Sequence, residues 1–523
     1  MSRPPLIEDR AVHCVRTGTS YPEKPPYDPS ESYPEIAKRT ISGAPNPVFA
    51  GVRELLRSLG NDPDRYGASD WNPLSGIVRP GDRVILKPNL VSHRNLGERR
   101  YGLSDRTSLV THGSVVRAVA EYVAIALRGS GRIVIGDSPI QGTSWDEIVA
   151  LLHLDEIKRA LEAAYPGVTI EYRDYRLGRA RLAGRMVVER IVDESRRGEY
   201  EEVDLGARSL LVPIMGEGVR FGVAQYPLWR MERAHTPTTN LCLFPKEVLD
   251  ADVVINLAKM KNHQKAGVTC ALKNLVGING HKDYLPHYRS GSPKSGGDEY
   301  PDGNPVWHLM WWASHHDWEI DSGRTKIAWL LAARAMQGIH ELVLRGSPPS
   351  IGGGGWWGND TLWRTILDIN RAFFYFNRES RKVEESIDGR VRYLCVLDGV
   401  VGGEKESPLA PTPVPTGYLL AARNPVALDA VATALMGFDI EKVPQIREAF
   451  RLDELPLARF AWTEIDVMGD VAFKGIRDIY SQRHYLRYRP SIGFAGHVEY
   501  DGDRAASIAP QASPEGEIIQ GEG

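Results

Sequence analysis

The alternation of apolar and polar positions along this chain predicts an α/β protein. Short apolar runs recur and break off into polar loops: Val84-Ile85-Leu86, Ile133-Val134-Ile135, Val253-Val254-Ile255 with Leu257, and Leu394-Cys395-Val396-Leu397. Runs this short read as strands covered on both faces. Helical periodicity marks residues 48–59 and 115–127, and residues 144–164 behind the capping-box sequence Ser144-Trp145-Asp146-Glu147. It also marks 425–436, where Pro425 occupies the first turn. Strand, helix and strand in succession imply βαβ units, hence a mainly parallel sheet with flanking helices.

The pattern divides the chain into seven stretches. Residues 1–79 read as an extended, Pro- and Tyr-rich arm followed by a helix, and 80–170 as the first α/β portion. Residues 171–245, crowded with arginine and glutamate, read as an insertion with antiparallel strands. Residues 246–290 carry a Lys/His block on the α/β core. Residues 291–390 form a Trp-, His- and Gly-rich insertion, 391–500 the last α/β portion, and 501–523 a polar tail expected to be disordered.

Composition narrows the function classes. With 523 residues the chain exceeds one ordinary core. A net charge of -3 gives no reason to expect a nucleic-acid partner. No apolar run has transmembrane length and the N-terminus has no apolar signal core, so the expectation is a cytoplasmic protein without a membrane partner. Cys14, Cys242, Cys270 and Cys395 stand far apart, so no self-contained iron–sulfur cluster is expected.

The strand exits carry the candidate chemistry. The first leads to Lys87-Pro88-Asn89, the second to Gly136-Asp137-Ser138-Pro139, and the fourth to Asp398. The third contains Asn256 and runs into Lys259-Met260-Lys261-Asn262-His263, with Leu272-Lys273-Asn274-Leu275 following. Ligands of open parallel sheets bind beyond the carboxyl ends of the strands, so these tips are expected to share one crevice. Any one tip could equally be a polar, capped loop. Lysine, however, is a poor cap, and several lysines converging on a strand end suit a carboxylate or phosphate.

Four blocks in this order carry a resemblance: Lys87-Pro88-Asn89-Leu90-Val91, Gly136-Asp137-Ser138-Pro139, the stretch from Ile255 to Gly277, and Asn424-Pro425-Val426-Ala427-Leu428-Asp429. Together they resemble the domain of unknown function 362 family, over residues 80–150 and 245–440. The resemblance implies an α/β fold but no particular reaction. Some members are similar to iron–sulfur proteins through a ferredoxin-like cysteine module, which is missing from this sequence. Asn424 stands where the family often has Asp, and His112-Gly113 where it commonly has His-Pro.

Within the expected crevice, His263, Lys259, Lys273 and Asp137 are the candidates for catalysis. Lysine can bind an anion or, when desolvated, act as base or Schiff-base former, and histidine titrates near neutrality. Lys87, Asn89, Ser138, Asn256, Lys261, Asn274 and Asp398 are the candidates for binding a small anionic molecule. Alternation along the strand could turn Lys261 to solvent. The cofactor is unknown. A divalent metal on His263, His281 and His287 is one option, although their spacing matches no metal motif. Asp429, on a helix, suits capping or ion pairing better than chemistry. Gly399, Gly402 and Gly403 are weak evidence for a dinucleotide, and the glycine run at 352–355 lacks a phosphate-loop ending.

The favoured expectation is an enzyme acting on a small anionic substrate by Lys/His-assisted proton transfer, with metal assistance left open. The alternatives are a noncatalytic metal- or cofactor-binding protein serving a redox partner, and an assembly protein. The Trp-rich stretch would then serve a homo-oligomer contact.

Overall fold

The apolar runs form the middle of one large mixed sheet. The computed structural model describes residues 4–36, 41–98, 102, 104–183, 186–223, 228–302, 352–387 and 391–502. Its main strands are β1 (Ala11–Arg16), β2 (Arg83–Pro88), β3 (Gly131–Asp137), β4 (Val168–Asp174), β5 (Val253–His263), β6 (Arg392–Glu406), β7 (Ala410–Ala422) and β8 (Asp466–Met468). They lie in the order β8-β1-β7-β6-β5-β2-β3-β4, and Gly267–Val268 adds an antiparallel bridge to the end of β5. Neighbours are parallel, except that β7 runs against both β1 and β6. The class is α/β, as the periodicity implies.

Alternation sorts the strand side chains onto two faces. Val84, Leu86, Ile133, Ile135, Val253, Ile255, Leu257, Leu394 and Val396 pack on one side. Helices α1 (Pro47–Ser58), α2 (Gly113–Leu127), α3 (Trp145–Leu152) and α4 (Leu154–Ala164) cover that side. Ile85, Val134, Val254, Ala258, Cys395 and Leu397 face the other side, under α5 (Cys270–Asn274), α6 (Leu362–Phe374) and α7 (Pro425–Met436). Each fully buried Val, Leu or Ile contributes about 1.5–3 kcal/mol. Burial on both faces explains why these runs are continuously apolar rather than alternating.

Several elements depart from expectation. The arm holds β1, which pairs His13 with Ala421 and Arg16 with Tyr418 and buries Val12, Cys14 and Val15. The expected helix over 144–164 is two helices. Ser144 accepts the amide of Glu147, but His153 adopts φ 56° and breaks the run. β4 carries the main sheet past residue 171, where the insertion was expected to begin. Beyond it the expected antiparallel pairs are present, Gly178–Ala183 with Met186–Val192 and Tyr200–Asp204 with Leu241–Pro245.

Much of the Trp/His-rich stretch lies outside the described residues, including Trp307, Trp311, Trp312, Trp318, Trp329, His308, His315 and His316, as does the tail from 503. Trp356 and Trp363 are buried, whereas Trp357 is half exposed and stacks on His497. Gly402 sits inside β6, where a Cβ would come within 1.7 Å of the Tyr488 hydroxyl. The close approach of Tyr488 accounts for glycine at this position. No described helix is long and apolar enough to cross a membrane.

Candidate functional site

β5 organises the site. All of its residues are buried, including Asn256, Lys259, Lys261, Asn262 and His263. Its parallel neighbours place Asn256 opposite Lys87 on β2 and Lys259 opposite Asp398 on β6. Because β2, β3, β5 and β6 are mutually parallel, Lys87, Asp137, Lys259 and Asp398 lie toward one edge of the sheet. An ammonium taken out of water costs several kcal/mol unless partners replace the lost hydration, so each lysine's partners indicate its job.

Lys87 is fully buried and fully engaged. Its Nζ lies 2.8 Å from Asp137 Oδ1 and donates to the Pro88 carbonyl and to Asn274 Oδ1. Burial lowers its pKa and the Asp137 carboxylate opposes that shift. Asp137 also accepts the amides of Leu90 and Ser138. Asn274 donates to the Lys87 carbonyl and to Asn256 Oδ1, and it accepts from Asn89 Nδ2. Asn256 in turn donates to the Ala271 carbonyl and the Tyr393 hydroxyl. These amides hold β2, β5 and α5 together. Gly277 closes over the ion pair: a Cβ there would stand 2.0 Å from Asp137 Oδ1 and 2.7 Å from Lys87 Nζ.

Lys259 belongs to a second buried pair. Its Nζ is 3.1 Å from Asp398 Oδ2 and donates to Tyr21 Oη at 2.5 Å, while Tyr21 donates to Asp398 Oδ1 at 2.6 Å. The amide of His112 donates to Asp398, and the His112 ring stacks on Tyr21 at 4.0 Å. Burial pushes His112 down to about 3, keeping it neutral. Lys261 does not turn to solvent: it is fully buried, and its Nζ donates to Asn89 Oδ1 and the Leu109 carbonyl. β5 is buried on both faces, so alternation takes neither to solvent; the register shift opposite Lys259 and Lys261 lies in β6, between Asp398 and Gly403. Burial, then Lys259 and Lys273, push the Lys261 pKa well below the usual lysine range.

The outer part of the site differs. Lys265 and Lys273 are only half-buried, and neither Nζ has a hydrogen-bond or ion-pair partner among the described residues. Burial, then Lys87 and Lys265, push Lys273 down to about 8. Burial pushes Lys265 down to about 8 as well, opposed by Glu299, and its Nζ lies 5.8 Å from the centre of the Tyr288 ring. Glu299 is itself pushed up to about 8 by burial. His263 Nδ1 accepts the Lys265 amide, which assigns the ring hydrogen to Nε2. His287 Nδ1 faces the Leu285 carbonyl at 2.8 Å, which assigns its hydrogen to Nδ1 and leaves Nε2 as an acceptor. Burial and the surrounding lysines hold both rings well below the ordinary histidine range, so both are neutral.

Hydrogen bonds, ion pairs and mutual electrostatic influence join Lys87, Asn89, Asp137, Asn256, Lys259, Lys261, His263, Lys273, Asn274 and Asp398 into one polar cluster at this sheet edge. Ser138 lies at its rim with a buried Oγ that has no partner among the described residues. The three-histidine metal set does not form. His287 lies in the field of His263, but His281 pairs with Asp283 at 3.4 Å and packs beside Tyr284. Among the described residues no group of three or more His, Cys, Asp or Glu is arranged to hold a metal ion. The four cysteines are buried, separate thiols.

Asp429 accepts the amides of Ala271 and Leu272, capping α5 and fixing the helix that carries Lys273 and Asn274. That helix N-terminus is therefore taken and adds nothing to anion binding. Sequence reasoning missed Tyr21, His112, Lys265 and Glu299 as parts of this constellation. Only Lys265 carried a local signal, two residues beyond His263 in the same polar run.

Residues 222–434 match the family described as "Domain of unknown function (DUF362)". That span holds the Ile255–Gly277 block and Asp429. The Lys-Pro-Asn and Gly-Asp-Ser blocks fall before it, on the adjoining strands β2 and β3. The chain is also 26% identical over 230 residues to the thylakoid-associated protein sll1697 of Synechocystis sp.. The alignment covers 44% of this chain and 46% of that protein, so the chain spans about half the length of the relative.

Proposed function

Because residues 222–434 of this chain match the DUF362 family, whose description names no reaction, we propose a function from the chemistry of the polar cluster: an enzyme that binds a small carboxylate or phosphate at Lys273 and Lys265 and moves a proton on it through the neighbouring histidines. The observation that carries this reading is the contrast in partners. Lys87 and Lys259 are paired with carboxylates and Lys261 donates to two neutral oxygens, whereas Lys273 stands half-buried among cations with no hydrogen-bonded acceptor among the described residues. An ammonium in such a place is relieved by an anion.

His263 Nε2–H and His287 Nε2 offer a neutral donor and a neutral acceptor beside the same lysines, a complementary pair for proton transfer. Asp137 positions Lys87 rather than acting on substrate, and Ser138 Oγ is available to a ligand oxygen.

A thermal-shift panel with oxalate, pyruvate and inorganic phosphate tests the reading. A bound anion at a hundredfold its Kd stabilises by about 2.7 kcal/mol. At least one anion is expected to raise the melting temperature of the wild type saturably and to leave Lys273→Gln unmoved. No shift with any anion, or an equal shift in the variant, overturns it. Stoichiometric metal in the purified protein would favour the reading as a metal-binding partner of a redox protein instead.

A further inference from the structure

We propose that Lys273 is a nucleophile, and that the anion bound in this crevice is an acid bearing an aldehyde or ketone carbonyl, which Lys273 captures as an imine. The inference rests on the anion-binding reading and goes one step beyond it.

Three observations point to Lys273. First, Lys87, Lys259 and Lys261 spend their Nζ hydrogens on carboxylate, amide, hydroxyl or carbonyl oxygens, which fixes each in one geometry. Lys273 has no such anchor among the described residues. Its Nζ is thus free to change bonding, as a nucleophile must. Second, the carboxylate closest to the inner lysine, Asp137, is already held by Lys87 and by two backbone amides, so it offers Lys273 little compensation. Burial, then the neighbouring cations Lys87 and Lys265, shift Lys273 toward the neutral amine, the form that attacks carbonyl carbon. Third, a second half-buried cation, Lys265, stands nearby to hold a carboxylate while Lys273 reacts. Lys265 is the poorer nucleophile candidate, because Tyr288 and Glu299 supply it with electron-rich neighbours.

The step balances without an external oxidant or reductant. Neutral Nζ adds to the carbonyl carbon, forming the C–N bond while the C=O π electrons move to oxygen. That oxygen takes a proton, and Nζ loses one, giving a carbinolamine. Expulsion of the hydroxyl as water, with one further proton, leaves the protonated imine. His263 Nε2–H and His287 Nε2 are the donor and acceptor at hand for these transfers.

The experiment uses the full chain with glyoxylate or pyruvate and sodium cyanoborohydride at neutral pH, followed by peptide mapping. Cyanoborohydride delivers hydride to the imine carbon and leaves a stable secondary amine on the lysine that formed it. Adduct at Lys273 is expected to exceed that at an exposed lysine such as Lys294 by about tenfold or more, from its larger neutral fraction. Inorganic phosphate or lactate, which bind without forming an imine, are expected to protect Lys273. Modification spread evenly over exposed lysines, with none enriched at Lys273, overturns the proposal. If phosphate or lactate still stabilises the wild type but not Lys273→Gln, while no adduct forms, the nucleophile is refuted and the anion site stands. If neither anion binds, the underlying site reading fails as well. Because the map is read on wild-type protein, a poorly folded variant cannot decide the result.

Discussion

The inner and outer lysines of this cluster do opposite things, although Lys259 and Lys261 stand only a few residues before Lys265 and Lys273 in sequence. Lys87, Lys259 and Lys261 are fully buried, and their Nζ groups are engaged by Asp137, Asp398, Tyr21, Asn89 and backbone carbonyls. Lys265 and Lys273 are half-buried with no such partners among the described residues. The first group builds the edge of the sheet; the second is left for a ligand. A lysine at a strand end is therefore not evidence of a site until its partners are known. Fully partnered buried charges report on architecture, and removing one partner is costly because the other remains buried.

The largest effect is expected where a buried pair is broken. Asp398→Ala strands Lys259 with only Tyr21 and should cost about 3–5 kcal/mol in chemical denaturation. The double variant Lys259→Met/Asp398→Leu should recover much of it. A loss well under 1 kcal/mol in the single variant would move Lys259 into the outer class.

Gly277→Ala comes next. Its Cβ would press on the Lys87–Asp137 pair, for an expected loss of about 1–3 kcal/mol by the same assay. Tyr21→Phe removes the hydroxyl shared by Lys259 and Asp398 and should cost about 1–2 kcal/mol. An unchanged midpoint for Tyr21→Phe would mean that the N-terminal segment does not brace the site.

Lys273→Gln should lose no more than about 0.5 kcal/mol of stability at neutral pH, with a gain the expected direction, because a lysine whose folded pKa is lowered to about 8 destabilises the fold while charged. A larger loss would place Lys273 with the structural lysines. Lys259, paired with Asp398, is expected to lose stability on replacement instead.

How much of this was legible follows from the range of each interaction. Lys87, Asn89, Asp137, Asn256 and Asn274 were readable because each closes or follows a short apolar run, and parallel strands bring such ends together. Tyr21 was not, because its bond to Lys259 spans 238 residues and nothing local in a Pro/Tyr-rich stretch announces it. β1 escaped for a related reason: a six-residue edge-side strand offers too little alternation to be read. Lys261 misled because β5 lies between β2 and β6 and is buried along its whole length, so alternation brings neither of its faces to solvent. Among the described residues His263, His281 and His287 form no three-ligand group for a metal ion, and His281 pairs with Asp283, two residues on.

The outer lysines also fix the expected pH dependence. Their folded pKa values lie near 8, below the ordinary 10.5, so between those limits the folded protein carries fewer protons than the unfolded chain. In the absence of ligand, this pair therefore contributes increasing stability as pH rises from 8 toward 10.5. Anion binding needs the ammonium form and moves the other way, weakening as pH rises through 8.

Calorimetric titration of wild type and Lys273→Gln with pyruvate and inorganic phosphate, at pH values on either side of 8, tests the central claim most directly. The expected result is saturable binding by the wild type that fades above pH 8 and is absent from the variant. Binding of equal strength in both proteins, or no binding by the wild type at any pH, would contradict it.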